Sequence, residues 1–547
     1  MEKPTSKIGF LGHYGLVKTF IDQLGITSII DQWIHKPKRK ISVGNAVTAM
    51  ILNGMGFTSQ ALYLTPTFFR NLPVEILFGP GVTPDDFNDD SLGTALDALY
   101  EAGITELFYH IAQQAIKNQG VDQSFVHLDS TTFSFHGAYE GQTEPDTDGL
   151  APFEVVKLTH GYSKDNRGDL KQVILQMMCT KGSTIPTWIE ILDGNTSDKI
   201  SFRETVQKFR EQVAGQLQMP VIVADSALYS EQTLKDLADT RWITRVPENI
   251  KLAKITLEQS DSSAMTEIQD GYKTKSVSVS YGGVNQRWLV VFSEAAYTRE
   301  MVTFNKNLEK KRKEAESALW HLSTKEFACE TDATSAIKRL IKELKFHDIQ
   351  YQVSSKPHYA TKGKPKADAV PSHYGWVVTG VVVDHQKKIQ QATARKGFFI
   401  LATNVRDDQD LTDSQMLSIY KAQGISIERG FRFLKDPMFF AESLYLKSPK
   451  RIMALLMVMT LSLLVYSLAE RWIRDALNSQ ELTVRNQVNK QISNPTLRWV
   501  FMLFGESMYG QVTLPNGETY WYSQINQETQ TILEALGPPF LKCYFLL

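Results

Sequence analysis

Two apolar runs in this chain each end in an aspartate followed by a small hydroxyl residue. They constrain the fold more than any other feature. The runs are His127-Leu-Asp-Ser-Thr-Thr132 and Val221-Ile-Val-Ala-Asp-Ser226. In an extended strand side chains alternate, so His127, Asp129 and Thr131 share one face while Val126 and Leu128 take the other. Asp129 then lies in mid-sheet, where a carboxylate is costly to bury unless it is paired or bound to a cation. Asp225 lies at the carboxyl end of an interior strand, where α/β sheets place functional groups. Asp-Ser at a strand end is also a common helix cap, so neither motif is decisive alone. A third segment, Glu428-Arg-Gly-Phe-Arg-Phe-Leu-Lys435, spaces Glu428, Arg432 and Lys435 at i, i+4 and i+7. That spacing gives one helix stripe with an acid followed by two bases. Phe431 and Leu434 form the adjacent apolar stripe. Glu–Arg at i, i+4 is an ordinary surface pair, and only the order strand Asp, strand Asp, helix Glu lifts it above that. Three carboxylates gathered from two strands and a helix suit divalent metals held against a phosphodiester. The chemistry implied is that of a nuclease or strand transferase.

The pattern around these motifs supplies the architecture. Residues 1–118 read mainly as helices, with apolar residues at helical spacing through Leu16–Ile34, Ala46–Leu52 and Leu92–Ala115. From 119 to 250 strands and helices alternate. The expected strands are Phe125–Phe135, Val155–Gly161 and Val173–Thr180 (a hairpin joined by polar Lys164-Asp-Asn-Arg-Gly168), Thr187–Leu192, Val221–Ala224 and Trp242–Val246, with helices Phe202–Ala214 and Glu231–Ala238. Residues 251–395 break this order with short strands around a charged helical stretch, Phe304–Phe346, and read as a partly β insertion. Residues 396–480 restore the core pattern and carry the Glu428 helix. Residues 481–547 end in a small piece with a hairpin turning at Asn516-Gly517. The fold class is therefore mixed α/β. The expected core is RNase H-like, interrupted by the insertion and flanked by an N-terminal helical domain and a helical and β-hairpin C-terminal part.

Bulk properties narrow the setting. A chain of 547 residues with 42% hydrophobic and 22% charged residues is globular and long enough for several domains. A formal net charge of −1 means that any nucleic-acid surface must come from charge segregation. Cys179, Cys329 and Cys543 lie far apart and match no zinc spacing. The N-terminal Met-Glu-Lys-Pro-Thr-Ser-Lys lacks the apolar stretch of a signal peptide, so a reduced cytoplasmic setting is expected. Ile452–Ala469 is almost uninterrupted Ile, Leu, Met and Val and reaches the lower limit for a membrane span. We read it as a helix buried inside a large domain, with no membrane partner.

Two basic stretches stand out. Lys36-Pro-Lys-Arg-Lys40, with Lys36, Lys38, Arg39 and Lys40, precedes a helix starting near Ser42. It either neutralises DNA phosphates or forms a solvated loop. Between Lys356 and Lys396 eight Lys or Arg face two Asp, with Tyr359, Tyr374 and Trp376 interspersed. That mixture suits phosphates and unstacked bases, or a solvated loop with core aromatics. Among the other acids, Asp90-Ser91 reads as a helix cap; Asp193 and Asp198, in Asp193-Gly-Asn-Thr-Ser-Asp198, compete for the metal role, but they follow a strand on a loop and read as parts of a structural turn.

With these residues in hand the chain resembles DDE-type insertion-sequence transposases of prokaryotes. The resemblance is to the group with a β-rich insertion between the second Asp and the Glu. It covers roughly 120–480, and the helical N-terminal region resembles the leading domain of one branch. The interval Asp225–Glu428 is about twice Asp129–Asp225, long enough for the insertion. The group's Tyr-Arg-Glu-Lys helix signature falls on Tyr420, Gln423, Glu428 and Lys435. Gln423 replaces the arginine, and the Tyr420–Glu428 interval is one residue too long. On a regular helix eight residues leave Tyr420 about 80° off the Glu428 face, so a π-bulge or kink near Gly424 is expected.

The resemblance implies that Asp129, Asp225 and Glu428 are catalytic and hold two Mg²⁺ or Mn²⁺ ions. It implies cleavage at the ends of an insertion element and strand transfer into target DNA. Tyr420, Arg432 and Lys435 would contact DNA phosphates, and Trp376 would receive a flipped base. The partners would be double-stranded DNA, meaning the element's terminal inverted repeats and the target, and a second copy of the chain in a homodimeric synaptic complex. The competing readings are a catalytically inactive DNA-binding protein and a non-transposing RNase H-like nuclease.

Overall fold

The computed structural model describes residues 5–36, 39–58, 61–137, 155–214, 219–360, 363–364, 369–439 and 446–546. They divide into two compact units, one formed by Met1–Thr244, Gly282–Val284 and Met416–Leu547, the other by Arg245–Tyr281 and Asn285–Gln415.

The first unit begins with an edge strand, β1 (Thr5–Phe10), and is built on β2 (Phe125–Phe135), β3 (Lys171–Thr180), β4 (Pro186–Asp193), β5 (Val221–Ala224) and β6 (Trp242–Arg245). These five core strands lie in the order β4-β3-β2-β5-β6. Strand β3 runs antiparallel to both β2 and β4. Strands β2, β5 and β6 are parallel neighbours. Parallel neighbours need crossovers, and the helices Asp198–Val213 and Glu231–Asp236 supply them. All four residues of β5, Val-Ile-Val-Ala, are buried, as expected of a strand covered on both faces.

Three expectations of local structure change. Val155–Gly161 forms no regular strand, and only Thr159 bridges Gln172. The segment is instead tied to the end of β4 by single bonds, Lys157 N to Asp193 Oδ1 (2.7 Å) and Gly194 N to Lys157 O (3.2 Å). At Gly161 a Cβ would stand 2.1 Å from the Gly194 carbonyl oxygen, an approach only glycine allows. Leu16–Ile34 is two helices, Tyr14–Gln23 and Ile26–Trp33, broken where Gly25 takes φ +74°. The helix Asp89–Glu101 is capped by Asn88, whose side chain accepts from Ser91 N, rather than by Asp90.

The apolar run belongs to a 31-residue helix, Pro449–Ser479, and 94% of its most apolar 18-residue window is buried within this unit. At 1.5 Å per residue it is about 46 Å long. The helices Val43–Met55, Asp89–Glu101, Ile104–Asn118 and Gln527–Leu536, together with β4, pack around it. A helix that is apolar all round is stable in this position because each buried Leu, Ile or Met contributes about 1.5–3 kcal/mol. Its ends are fixed by charge. Arg451 forks onto Asp97 at 2.8 and 2.7 Å. Buried Glu470 pairs with Arg474 at 2.8 Å and accepts from Leu497 N at 2.9 Å. The C-terminal hairpin, Met508–Thr513 with Thr519–Gln524, turns at Gly517 (φ +87°) as its sequence predicts, and β1 pairs with its first strand.

In the second unit, β7 (Thr266–Gln269), β8 (Tyr272–Tyr281) and β9 (Val284–Ser293) form the order β12-β9-β8-β7 with the later strand β12, Phe398–Thr403. A separate two-stranded ribbon pairs β10 (His347–His358) with β11 (His373–Asp384). The charged stretch expected over Phe304–Phe346 forms two helices, Glu294–Ser323 and Glu330–Glu343, that pack on this ribbon. Leu319, Ala333, Ile337, Ile349 and Val378 make its small core. Arg287, 5% exposed, is held by Asp408 and by Asp413 at 3.3 Å.

Candidate active site

The site is built in the first unit, from adjacent parallel strands. The β2–β5 register pairs His127 with Val223 and Leu128 with Ala224, so the next residues along are Asp129 and Asp225. Burial pushes the Asp129 carboxyl up to about 6. Lys164 and the Ser130 N–H oppose that shift, and the charge of Asp225 adds to it. Asp225 is raised too, first by burial; the Ala227 N–H and Lys164 oppose it and Asp198 adds to it. Both carboxylates are therefore short of counter-charge, which is the state a bound cation relieves. Asp225 also serves as a simple cap, since its Oδ1 accepts from Ala227 N at 2.8 Å.

Two further residues join this pair, Asp198 and Lys164. Lys164 Nζ donates to Ser130 O (2.7 Å) and Ser130 Oγ (2.9 Å), and lies 3.5 Å from both Asp129 Oδ1 and Asp198 Oδ2. Ser130 Oγ donates to Asp198 Oδ1 at 2.7 Å. Asp198 is thus no turn residue; it opens the helix Asp198–Val213 against the acidic pair. Asp193 does occupy a structural turn, accepting from Lys157 N. The signal for Asp198 was its place at the start of the helix following β4. Lys164 had none, because its partners are distant in sequence.

Glu428 arrives on a distorted helix. The helix Asp413–Lys421 passes into a π turn, Gly424–Glu428, and then into Arg429–Leu434. The extra residue between Tyr420 and Glu428 is absorbed there, where the spacing requires it. The π turn packs on β2 and β3. Ser426 Oγ, fully buried, accepts from Gly182 N at 2.9 Å and donates to Ala422 O at 2.9 Å. At Gly430 a Cβ would come within 3.3 Å of the Met177 methyl and 3.2 Å of Leu463. Met177 is the β3 register partner of Asp129, so the Glu428 segment lies over the strand pair that carries Asp129. Glu428 and Arg432 are exposed and Tyr420 is half-buried.

Lys435 lies over Phe133 (5.9 Å from Nζ to the ring centre), and Phe133 shares a strand face with Asp129. Its Nζ pairs with Asp165 Oδ2 at 2.6 Å. Arg429 leans on Glu470 at 3.5 Å. His127 is fully buried, and burial holds it down at about 4, with Lys181 adding to the effect. Among the described residues no group of three His, Cys, Asp or Glu side chains stands ready to hold a metal ion.

The remaining predicted contacts lie elsewhere. Lys36 pairs with Glu101 (3.2 Å) and Lys40 with Asp86 (2.7 Å), while Arg39 donates to Ile41 O, Ser91 O and Thr94 Oγ1. Lys38 lies outside the described residues. Trp376 belongs to the second unit, half-buried on β11 against the small core there, with backbone bonds to Phe327 at 2.9 Å. Of the basic stretch around it, Lys356, Arg395 and Lys396 pair with Glu326, Glu258 and Glu300. Lys362 and Lys366 lie outside the described residues.

Residues 121–465 match the family described as transposase DDE domain, and residues 6–113 match a domain of unknown function, DUF4277. No curated protein matches the sequence. Among solved structures, the cryo-EM structure of a piggyBac transposase synaptic complex with hairpin DNA is similar at 12% identity. That likeness covers 92% of this chain and 82% of that one, with a TM-score of 0.37. The DDE-domain match spans well over half of the chain and includes both aspartates and Glu428, so the chain belongs to the DDE transposase family and is a DNA transposase.

Proposed function

We propose that this transposase cuts DNA at the ends of its own element and joins them to target DNA through an RNase H-like site formed by Asp129, Asp225 and Glu428. The observation that carries the reading is the pair of desolvated carboxylates, Asp129 and Asp225, on adjacent parallel strands beneath the Glu428 segment. The strand order β4-β3-β2-β5-β6, with β3 alone reversed against the other strands, supports the RNase H-like core.

The donor set is all oxygen and anionic, which fits hard divalent cations such as Mg²⁺ or Mn²⁺, two in this reading. When bound, such ions supply Lewis-acid activation of the attacking oxygen and neutralise the leaving one. The protein's part is to hold the acids in register. Burial limits the screening of Asp129 and Asp225 by water, the β2–β5 pairing fixes those two, and the Ser426 bonds fix the backbone two residues before Glu428. In this reading Lys435, beside Phe133, takes a backbone phosphate, with Tyr420 and exposed Arg432 on the same helical segment. Lys36, Arg39 and Lys40, and Trp376 in the second unit, are further DNA contacts in this reading. Two copies of the chain, one for each element end, would act together in the cytoplasm.

The test is metal-dependent nicking of a duplex carrying the element's end. Asp129→Asn, Asp225→Asn and Glu428→Gln should each abolish nicking while end binding persists. A Glu428→Gln protein that cuts like wild type would remove Glu428 from the site. Asp198, already joined to the pair through Ser130 and Lys164, is then the alternative third acid, and Asp198→Asn decides it.

A further inference from the structure

The turn from Ser163 to Asp169 brings two adjacent residues of opposite charge to two different parts of the site. Ser163 Oγ accepts from Asp165 N (3.3 Å) and Arg167 N (3.1 Å), and Ser163 O accepts from Asn166 N (3.2 Å). Asn166 takes φ +58°, a left-handed conformation that asparagine tolerates. At its base Gln172 Nε2 donates to Tyr162 O at 3.2 Å. The turn is thus a local, self-bonded frame. From it Lys164 reaches Asp129, Asp198 and both oxygens of Ser130, and Asp165 reaches Lys435.

Each pairing matches the charge that the site's function needs at that place. The lysine meets Asp129, one of the two carboxylates short of counter-charge, together with Asp198, and the aspartate meets the cation assigned to a DNA phosphate. A solvated turn would account for one such contact. It does not account for two neighbours engaging, in opposite sense, the two halves of one site. The contacts are also easily broken. Lys164 is 33% exposed, Asp165 44% and Lys435 26%, and ion pairs this wet are weak and screened by salt.

We infer that the Ser163–Asp169 turn is a built-in stand-in for the ligands of the site, with Lys164 in place of a divalent cation and Asp165 in place of a DNA phosphate, and that loading the site displaces both. The inference rests on the functional reading above. In the free protein it keeps Asp129 and Asp198 from repelling each other and gives Lys435 an anion, so the empty site does not splay apart. It also couples the two ligands. Displacing Lys164 with a cation pulls on Asp165 one residue away and frees Lys435, so metal and DNA should each favour the other.

The experiment measures Mn²⁺ binding to the full chain without DNA, by electron paramagnetic resonance of the free ion. Lys164→Met should bind Mn²⁺ at least about fivefold more tightly than wild type, because a competing positive charge is removed. Asp129→Asn should abolish that binding in both backgrounds. In EDTA, Asp165→Asn should bind a short labelled duplex about threefold more tightly by fluorescence anisotropy, the size of a lost surface ion pair. That gain should vanish in a Lys435→Gln background. Unchanged or weaker Mn²⁺ binding by Lys164→Met, with binding still dependent on Asp129, overturns the inference and leaves the functional reading intact. A duplex-binding gain that persists without Lys435 overturns the phosphate half. Mn²⁺ binding indifferent to Asp129→Asn overturns the functional reading and the inference with it.

Discussion

Gly182 N donates to Ser426 Oγ at 2.9 Å, tying the turn after β3 to the π turn that ends at Glu428. The bond joins the turn between β3 and β4 to a helix distant in sequence, and it fixes the backbone two residues before the candidate acid. Ser426→Ala removes the acceptor and leaves the Gly182 N–H without it. Stability to urea should fall by about 1 kcal/mol, the usual worth of one such bond. Nicking should fall by about tenfold or more, because small displacements of a catalytic group cost more than the bond that held it. Equal, small losses in both measurements would show that the π turn holds its place without this bond.

Gly430 tests how closely that segment lies on the sheet. An added Cβ meets Met177 at 3.3 Å and Leu463 at 3.2 Å, tighter than ordinary packing. Gly430→Ala should cost about 1–3 kcal/mol through overpacking, despite alanine's better helix propensity. Glu428 should move with the helix and nicking should drop. A variant as stable as wild type, or more so, would mean that Met177 and Leu463 yield freely.

His13 sets an acid limit on stability. Burial holds it down at about 4, opposed by the contact of its Nε2 with Met55 O at 3.0 Å, and its ring stacks on Phe501 with centroids 4.0 Å apart. The folded value lies below the unfolded one, so on acidification the unfolded chain takes up the proton first. Stability is therefore full above about pH 6.5 and is lost as the pH falls toward 4, by up to about 3 kcal/mol from this residue. His13→Gln should start less stable at pH 7.5, having lost the stack, yet decline less over that interval. Urea melts at pH 7.5, 5.5 and 4.5 read both effects.

Leu464 lies in the middle of the Pro449–Ser479 helix and is fully buried. Leu464→Ala should cost about 2–5 kcal/mol in cooperative unfolding measured without detergent. A helix whose apolar surface served a membrane would lose little in that measurement.

Local sequence carried the parts of this protein that depend on local physics. Alternation gave the faces of β2, a continuous apolar run gave β5, and i, i+4 spacing gave the Glu428 segment, since these patterns follow from backbone geometry alone. One residue too many between Tyr420 and Glu428 required a π turn, and a π turn is found at Gly424–Glu428. The hairpin at Asn516-Gly517 followed from turn chemistry in the same way. Val155–Gly161 misled because its β-rich composition says nothing of whether a partner strand has a free edge, and the end of β4 offered only single bonds.

What only the tertiary structure decided is which charges meet. Lys164 and Asp198 surround Asp129 because distant segments fold onto the end of β2. The basic clusters at Lys36–Lys40 and Lys356–Lys396 looked open in the sequence. Folding brings Glu101, Asp86, Glu326, Glu258 and Glu300 to several of their side chains. Strand and helix periods act between near neighbours and are written along the chain. Counter-charges are chosen by proximity in space, and the sequence reveals that only after it has folded.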